Sequence, residues 1–224
     1  MWNSDRMTNW AKDIFSEDHR FSKSYRRGDE LPKGKYPPVL LREFYYNEND
    51  AEDTYHTTEE RLIQAILTFA KDESLNEFRV WGASSSSVVE GKIEQYNPLG
   101  KITGQVDLAF QYQGLTKVID WKLGGEEKGE ESLQLSVYGL WATDYYKCKP
   151  EDLRVMKIHL SKGHVTFFKV NADVLANATA RIIQDMNRME VMNMYGRRGN
   201  QAAFTPCLQA SVCRLCSFYE VCYA

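Results

Sequence analysis

The stretch that most constrains the fold is Thr103 to Gly125, TGQVDLAFQYQGLTKVIDWKLGG. Its apolar residues fall in two short runs, QVDLAF and LTKVIDWKL, separated by the turn signal YQG, which predicts two antiparallel strands of one sheet. Each run carries an acid where the pattern says the sheet interior should begin. Asp107 stands among apolar neighbours, and Asp120 closes a β-branched run with Lys122 two residues beyond it. By the period of two, Lys122 points to the same side of its strand as Asp120. Two carboxylates on neighbouring strands can converge on a hard cation such as Mg²⁺, which takes oxygen ligands and keeps several waters. A lysine beside them can hold an attacking water or stabilise phosphate charge. Taken alone, the spacing Asp-x(12)-Asp-x-Lys equally describes an ion pair at a strand end.

Around this stretch the chain reads as one mixed α/β domain with a covered central sheet. A helical pattern runs from about Thr57 to Lys71 through Leu62, Ile63, Ile66, Phe69 and Ala70, with Thr57 and Glu60 at capping-box spacing. FRVWGA and SVVEGKIEQY read as strands ahead of the central pair. Glu131 to about Tyr146 is helical again, with Leu133, Val137, Leu140 and Trp141 on its apolar face. LRVMKIHL and HVTFFKV form a hairpin across SKG, and Ala172 to about Tyr195 makes a long amphipathic helix. The domain map is an irregular arm over 1–50, a core over 51–200 and a cysteine-rich tail over 201–224. In the arm, Arg20, Lys23, Arg26, Arg27, Lys33 and Lys35 interleave with Phe21, Tyr25 and Tyr36. Basic residues among aromatics suit a phosphate backbone and stacked bases, and equally a solvated loop that packs its rings on the core.

A net charge of −3 gives no overall basic signal for nucleic acid, but an acidic metal site offsets basic patches in the sum. No stretch approaches the roughly 20 apolar residues of a membrane span. The start MWNSDRMTNWAKDIF lacks the pattern of a secretory leader, so a cytoplasmic chain is expected. There, cysteines more often bind metal or do chemistry than form structural disulfides. Cys148 stands alone, whereas Cys207, Cys213, Cys216 and Cys222 crowd the last 18 residues at ligand-like spacing. A 4Fe–4S cluster, a structural Zn²⁺ or unligated thiols are the three readings of that set.

Four further residues frame the central strands. Glu90 sits in SVVEGKIE, in a run otherwise apolar on both sides. Gln134 and Tyr138 lie four apart in SLQLSVYGLWA and share a helix face. His56 stands just before the first helix of the core; a start one turn earlier would put it on the buried face, seven residues ahead of Ile63. The ordered set VVEGKIE, GQVDLAF, VIDWKLG and QLSVY resembles the RecB-type branch of the PD-(D/E)XK nuclease superfamily. That branch includes helicase–nuclease domains and CRISPR-associated exonucleases with an iron–sulfur cluster. There a Gly-x-[IV]-Asp strand precedes an Asp-Tyr-Lys-[TS]-Gly strand and a Gln-x(3)-Tyr helix. Here these are Gly104 to Asp107, then Asp120-Trp121-Lys122-Leu123-Gly124, then Gln134 to Tyr138.

The resemblance spans roughly residues 50–224. It implies a restriction-endonuclease-like α+β core, a mixed central sheet flanked by helices. It also implies Asp107 and Asp120 as metal ligands, Lys122 as the catalytic lysine and His56 as the metal-binding histidine of the first core helix. Gln134 and Tyr138 would contact substrate or support the site, with Glu90 a supporting residue. Cys213, Cys216 and Cys222 look like that branch's C-terminal iron–sulfur motif, which pins the tail onto the core; the branch's fourth cysteine lies far upstream, so either Cys207 replaces it or the cluster site is incomplete. Three departures are visible: Trp121 and Leu123 replace a tyrosine and a small hydroxyl residue, Thr57 looks like a cap beside His56, and no cysteine precedes Cys148. The implied activity is Mg²⁺- or Mn²⁺-dependent phosphodiester hydrolysis. A DNA exonuclease acting on single strands or ends fits it best, with a helicase or integrase partner in replication, recombination, repair or defence. Two other classes remain: a non-catalytic nucleic-acid-binding or scaffold module that keeps the fold, and an iron–sulfur electron-transfer protein.

Overall fold

The two central runs become strands because β-branched and aromatic residues alternate along them and turn residues end them. In the computed structural model, which describes residues 3–97, 100–123 and 131–197, they are β2 (Gly100–Tyr112) and β3 (Leu115–Lys122). Their antiparallel pairing closes through Gln113 and Gly114, whose φ values of 51° and 76° suit a type I′ hairpin turn. With β1 (Val88–Asn97), β4 (Leu153–His159) and β5 (His164–Phe168) they form one sheet in the order β1-β2-β3-β4-β5. All neighbours are antiparallel except β3 and β4, which run parallel because α5 (Glu131–Tyr146) crosses over between them. This is the mixed, helix-flanked α+β sheet expected.

Each face of the sheet buries its own cluster. On one, Ile93, Val106, Ala109, Val118 and Val155 meet Leu135, Tyr138, Trp141 and Ala142 of α5. The helix α6 (Ala172–Arg197) then packs on α5 at Gly139, where a Cβ would come within 3.0 Å of Leu175 Cδ2. On the other face, Leu108, Phe110, Ile119, Met156 and Ile158 meet Leu75 and Phe78. No helix among the described residues is long and apolar enough to cross a membrane.

Three local expectations are corrected. FRVWGA is not a strand but belongs to α4 (Asn76–Gly82). There Arg79, 8% exposed, donates to the carbonyls of Phe69 and Asp72 (the latter at 2.8 Å), answering the open end of the preceding helix α3 (Ala51–Lys71). α3 itself starts at Ala51, so Thr57 and Glu60 lie inside it and form no capping box. Glu52 and Asp53 occupy its first turn, where acids are favoured.

The arm over 1–50 is not irregular throughout: α1 (Ser4–Ser24) runs 21 residues and α2 (Arg42–Tyr45) follows. Asn3 caps α1 by accepting the Arg6 N–H at 2.9 Å. Phe15 and His19, one turn apart, both stack on Tyr55 of α3, with ring centroids at 4.8 and 3.9 Å. Lys23 pairs with Glu52 at 2.6 Å, and the returning chain is tied down where Val39 N donates to Asp18 Oδ1 at 2.7 Å and Leu41 N to Ser22 Oγ at 2.8 Å. Pro32, Pro37 and Pro38, which break regular structure, lie only in the return loop, residues 25–41.

One aromatic carries a stability prediction. The Tyr146 hydroxyl is buried without a hydrogen-bond partner among the described residues, and burial, with lesser contributions from Tyr145 and Cys148, pushes it up to about 12. Its folded value exceeds the unfolded one, so its contribution to stability is complete below pH ~10 and is lost as pH rises towards the folded value. Tyr146→Phe should therefore raise stability at neutral pH by about 1 kcal/mol, since a buried unsatisfied hydroxyl disappears. It should also flatten the alkaline fall; denaturant unfolding at neutral and alkaline pH reads both effects.

Candidate active site

The site starts from a fork in the sheet. Pairing between β2 and β3 ends at Leu108↔Ile119. One step further it would set Asp107 against Asp120, but there the strands part. β2 runs on with β1 to Gly100↔Asn97, and β3 runs on with β4 to Lys122↔His159. The parting releases the Trp121 N–H from the ladder, and Asp107 Oδ2 accepts it at 2.8 Å. Both acids thus stand at the crotch of the fork, which is why neither could be absorbed as an ordinary outward-facing strand residue.

Asp120 is only 3% exposed. Its Oδ1 accepts from Gln134 Nε2 at 3.4 Å, and the same amide donates to Tyr138 Oη at 2.8 Å. Gln134 and Tyr138 therefore act from α5 as a pair, as their spacing predicts. Asp120 Oδ2 lies 2.9 Å from Lys122 Nζ, yet it accepts no well-directed hydrogen bond among the described residues. A buried carboxylate oxygen with an ion-pair neighbour and no aligned donor is what a divalent cation would complete. Among the described residues no three His, Cys, Asp or Glu side chains gather as a metal-binding group. A cation at the fork would rest on two carboxylates, with water and substrate oxygens completing its shell, the manner in which Mg²⁺ is commonly held.

Burial raises the Asp107 carboxyl above its ordinary value; the Trp121 N–H pulls it back, Asp120 pushes it up and Lys122 lowers it. Burial also raises the Tyr138 phenol, against its bond from Gln134 and helped by the two aspartates, so Tyr138 stays a neutral hydroxyl. For Asp107 the sign is plain: a raised folded value contributes stability that is present below the ordinary carboxylate range and lost as pH climbs through the folded value. In EDTA, Asp107→Asn should be more stable than the parent chain at neutral pH, with the gap closing on acidification. Thermal melts across acid and neutral pH read this, and a gap independent of pH would overturn it.

Glu90 lies opposite Asp107 on β1. The ladder pairs Val89 with Leu108 and Gly91 with Val106 but skips Glu90, whose φ of 52° is left-handed. Val88 and Ile93, an odd number of residues apart, both pack on the α5-side cluster, so the in–out alternation slips at Glu90. Val106 and Ala109 record the same slip on β2. Gly91 permits it, because a Cβ there would collide with Val88 Cγ1. The Glu90 carboxylate accepts from Gln105 Nε2. A left-handed backbone at a non-glycine residue costs of order 1–3 kcal/mol, and such strain collects at functional sites.

His56 lies on α3, but exposed. The expectation that an early helix start would bury it is corrected: Tyr55, in phase with Ala51 and Ala65, takes the buried stripe, and His56 falls off it. Two residues were missed. The parallel register sets Lys157, 2% exposed, beside Asp120, and His159, 3% exposed, beside Lys122. The signal for Lys157 was present in LRVMKIHL, where a lysine interrupts an otherwise apolar run. The set Cys207, Cys213, Cys216 and Cys222 lies outside the described residues.

A family model of the PD-(D/E)XK nuclease superfamily matches residues 19–223. Among solved structures, the crystal structure of SSO0001 is similar over 95% of this chain and 96% of that one, at 13% identity and a TM-score of 0.40. No curated protein matches the chain.

Proposed function

This chain belongs to the PD-(D/E)XK nuclease superfamily, a family of metal-dependent phosphodiesterases, and within it we propose a DNA exonuclease that acts on single strands or ends. The observation that carries the reading is the fork, where Asp107 and buried Asp120 meet with Asp120 Oδ2 short of an aligned donor and Lys122 Nζ 2.9 Å away.

A Mg²⁺ or Mn²⁺ ion bound there would supply Lewis-acid charge and acidify a water. Asp107 and Asp120 would hold it, with water and substrate oxygens completing its shell. Lys122 would leave Asp120 Oδ2 to the cation and turn its ammonium to the attacking water or the phosphate oxygens, where negative charge grows. Gln134 and Tyr138 would keep Asp120 in its rotamer, the positioning that such chemistry needs. Glu90, held by Gln105, would close the β1 side. Preference for single strands or ends is supported by the likeness of the ordered residue set to RecB-type relatives. The likeness of Cys213, Cys216 and Cys222 to the relatives' motif supports a 4Fe–4S cluster, with Cys207 in place of the remote fourth ligand or the site incomplete and structural Zn²⁺ as the alternative, and the family likeness supports a helicase or integrase partner. A visible spectrum after anaerobic purification separates cluster from zinc.

The test is degradation of end-labelled single- and double-stranded DNA by the full chain, with Mg²⁺, Mn²⁺ or EDTA. Progressive, metal-dependent shortening of the single strand is expected. No cleavage with either metal would overturn the reading and leave the non-catalytic module.

A further inference from the structure

A second chemically furnished cavity lies on the helices that precede the core. It measures about 450 Å³, within the range of small-ligand sites. Tyr25, Arg26, Arg27, Phe44, Tyr45 and Tyr46 line it with Asn47; none belongs to β2, β3 or α5, which carry the fork. The walls are rings held at fixed angles. Tyr45 and Tyr46 meet edge to face at 4.9 Å, and Tyr25 lies 6.2 Å from Tyr45, tilted by 43°. The Arg27 guanidinium sits over the Tyr45 ring at 5.3 Å, with Nε 3.4 Å from its hydroxyl. Arg42 lies over Tyr46 at 5.5 Å but is answered by Glu48 at 3.0 Å, so it adds little charge to the cavity.

The lining holds two arginines and no carboxylate. The nearby acid Asp29 is turned to the backbone, accepting the Arg26 N–H at 2.7 Å and closing the turn around Gly28. Asn47, at φ 54°, reverses the chain directly after Tyr46 and so fixes the far wall. Flat aromatic walls want a flat π partner, and guanidiniums want a planar or tetrahedral anion. A nucleotide of a single strand offers both in one unit, a base to stack and a phosphate to pair. A paired base inside a duplex has its faces covered and cannot enter.

We propose that this cavity is a single-strand nucleotide subsite, in which Tyr25 at the end of α1 and Tyr45 and Tyr46 at the end of α2 stack one base and Arg26 and Arg27 meet its phosphate. It names the form of substrate that the fork would receive, and it rests on the reading that the chain acts on nucleic acid.

The experiment measures binding without cutting: fluorescence anisotropy of a labelled oligothymidine against the full chain in EDTA over a salt series, with a hairpin duplex as the second probe. Arg26→Ala/Arg27→Ala changes side chains that are exposed, so the fold should persist; Tyr45→Leu tests stacking. Loss of one stacked base should weaken oligothymidine binding roughly tenfold, with duplex binding unmoved. The arginine pair should lower the salt slope by about 0.7 for each phosphate that is no longer neutralised. Parent-like affinity and slope in the arginine variant would overturn the proposal, as would equal losses on both probes. Should Tyr45→Leu fail to fold by circular dichroism, the arginine variant decides alone. Failure of the parent chain to cut DNA while these binding differences hold would sink the nuclease reading and leave the subsite standing.

Discussion

Asp120→Asn should reduce metal-dependent cleavage by at least about 10³-fold, since a bound cation contributes several kcal/mol of transition-state charge stabilisation. The variant should nonetheless fold as well as the parent chain. Asparagine keeps the volume and an Oδ1 that can still accept from Gln134, which now meets Asp120 at 3.4 Å. What it removes is a carboxylate that is 3% exposed and pushes the Asp107 carboxyl upward. Relief of the repulsion on Asp107 and loss of the ion pair with Lys122 oppose each other in the absence of metal, so stability in EDTA should change far less than activity. Lys122, whose side chain is 30% exposed, can turn to water once its partner is neutral. The measurement pairs a cleavage assay with thermal melts in EDTA and in Mn²⁺. Mn²⁺ at a hundredfold excess over its dissociation constant should stabilise the parent chain by about 2.7 kcal/mol and the variant hardly at all. A variant that cuts at the parent rate, or gains as much from Mn²⁺, would remove Asp120 from the ligand set.

How much of this was legible in the sequence depends on the range of the interactions involved. The central hairpin was, because alternation and a Gln113–Gly114 turn are local signals, and so were the spans of α5 and α6, but the face α5 buries runs through Leu135, Tyr138, Trp141 and Ala142, with Leu133 and Leu140 only half-buried. The Gln134–Tyr138 bond was foreshadowed by spacing alone, since residues four apart on a helix share a face. FRVWGA misled because alternation over six residues does not separate a short helix from a strand; what decides it is Arg79 reaching back to the end of α3, a tertiary bond. α1 was hidden in the same way. Its partner is remote in sequence: Phe15 and His19 pack on Tyr55 of α3. The fork could not be read at all. It needs the knowledge that β3 leaves β2 for β4 at Asp120, and that pairing is set by a crossover whose register nothing in the strand itself announces. The left-handed Glu90 shares that cause, since its backbone follows from the slip of two paired strands.

Lys122→Met should separate metal binding from chemistry. Cleavage should fall by roughly 10²–10³-fold, the scale for losing one positioned group that meets developing charge. Metal affinity should rise, for a reason of geometry: Lys122 Nζ lies 2.9 Å from Asp120 Oδ2, the oxygen left for a cation. In the metal-free protein the ammonium occupies that direction and competes for the carboxylate, and in the loaded one it repels the ion from close by. Methionine keeps the apolar stem along the strand end and removes only the charge, so Trp121 and its packing against Phe69 and Phe78, at 5.4 and 6.2 Å, should be undisturbed. Manganese titration followed by thermal shift gives the affinity, and single-turnover cleavage at saturating Mn²⁺ gives the chemistry. If Lys122 served only to hold Asp120 in place, the variant would lose metal affinity and cleavage together. Tighter Mn²⁺ binding with cleavage still suppressed at saturation is the outcome that assigns Lys122 to the reacting phosphate.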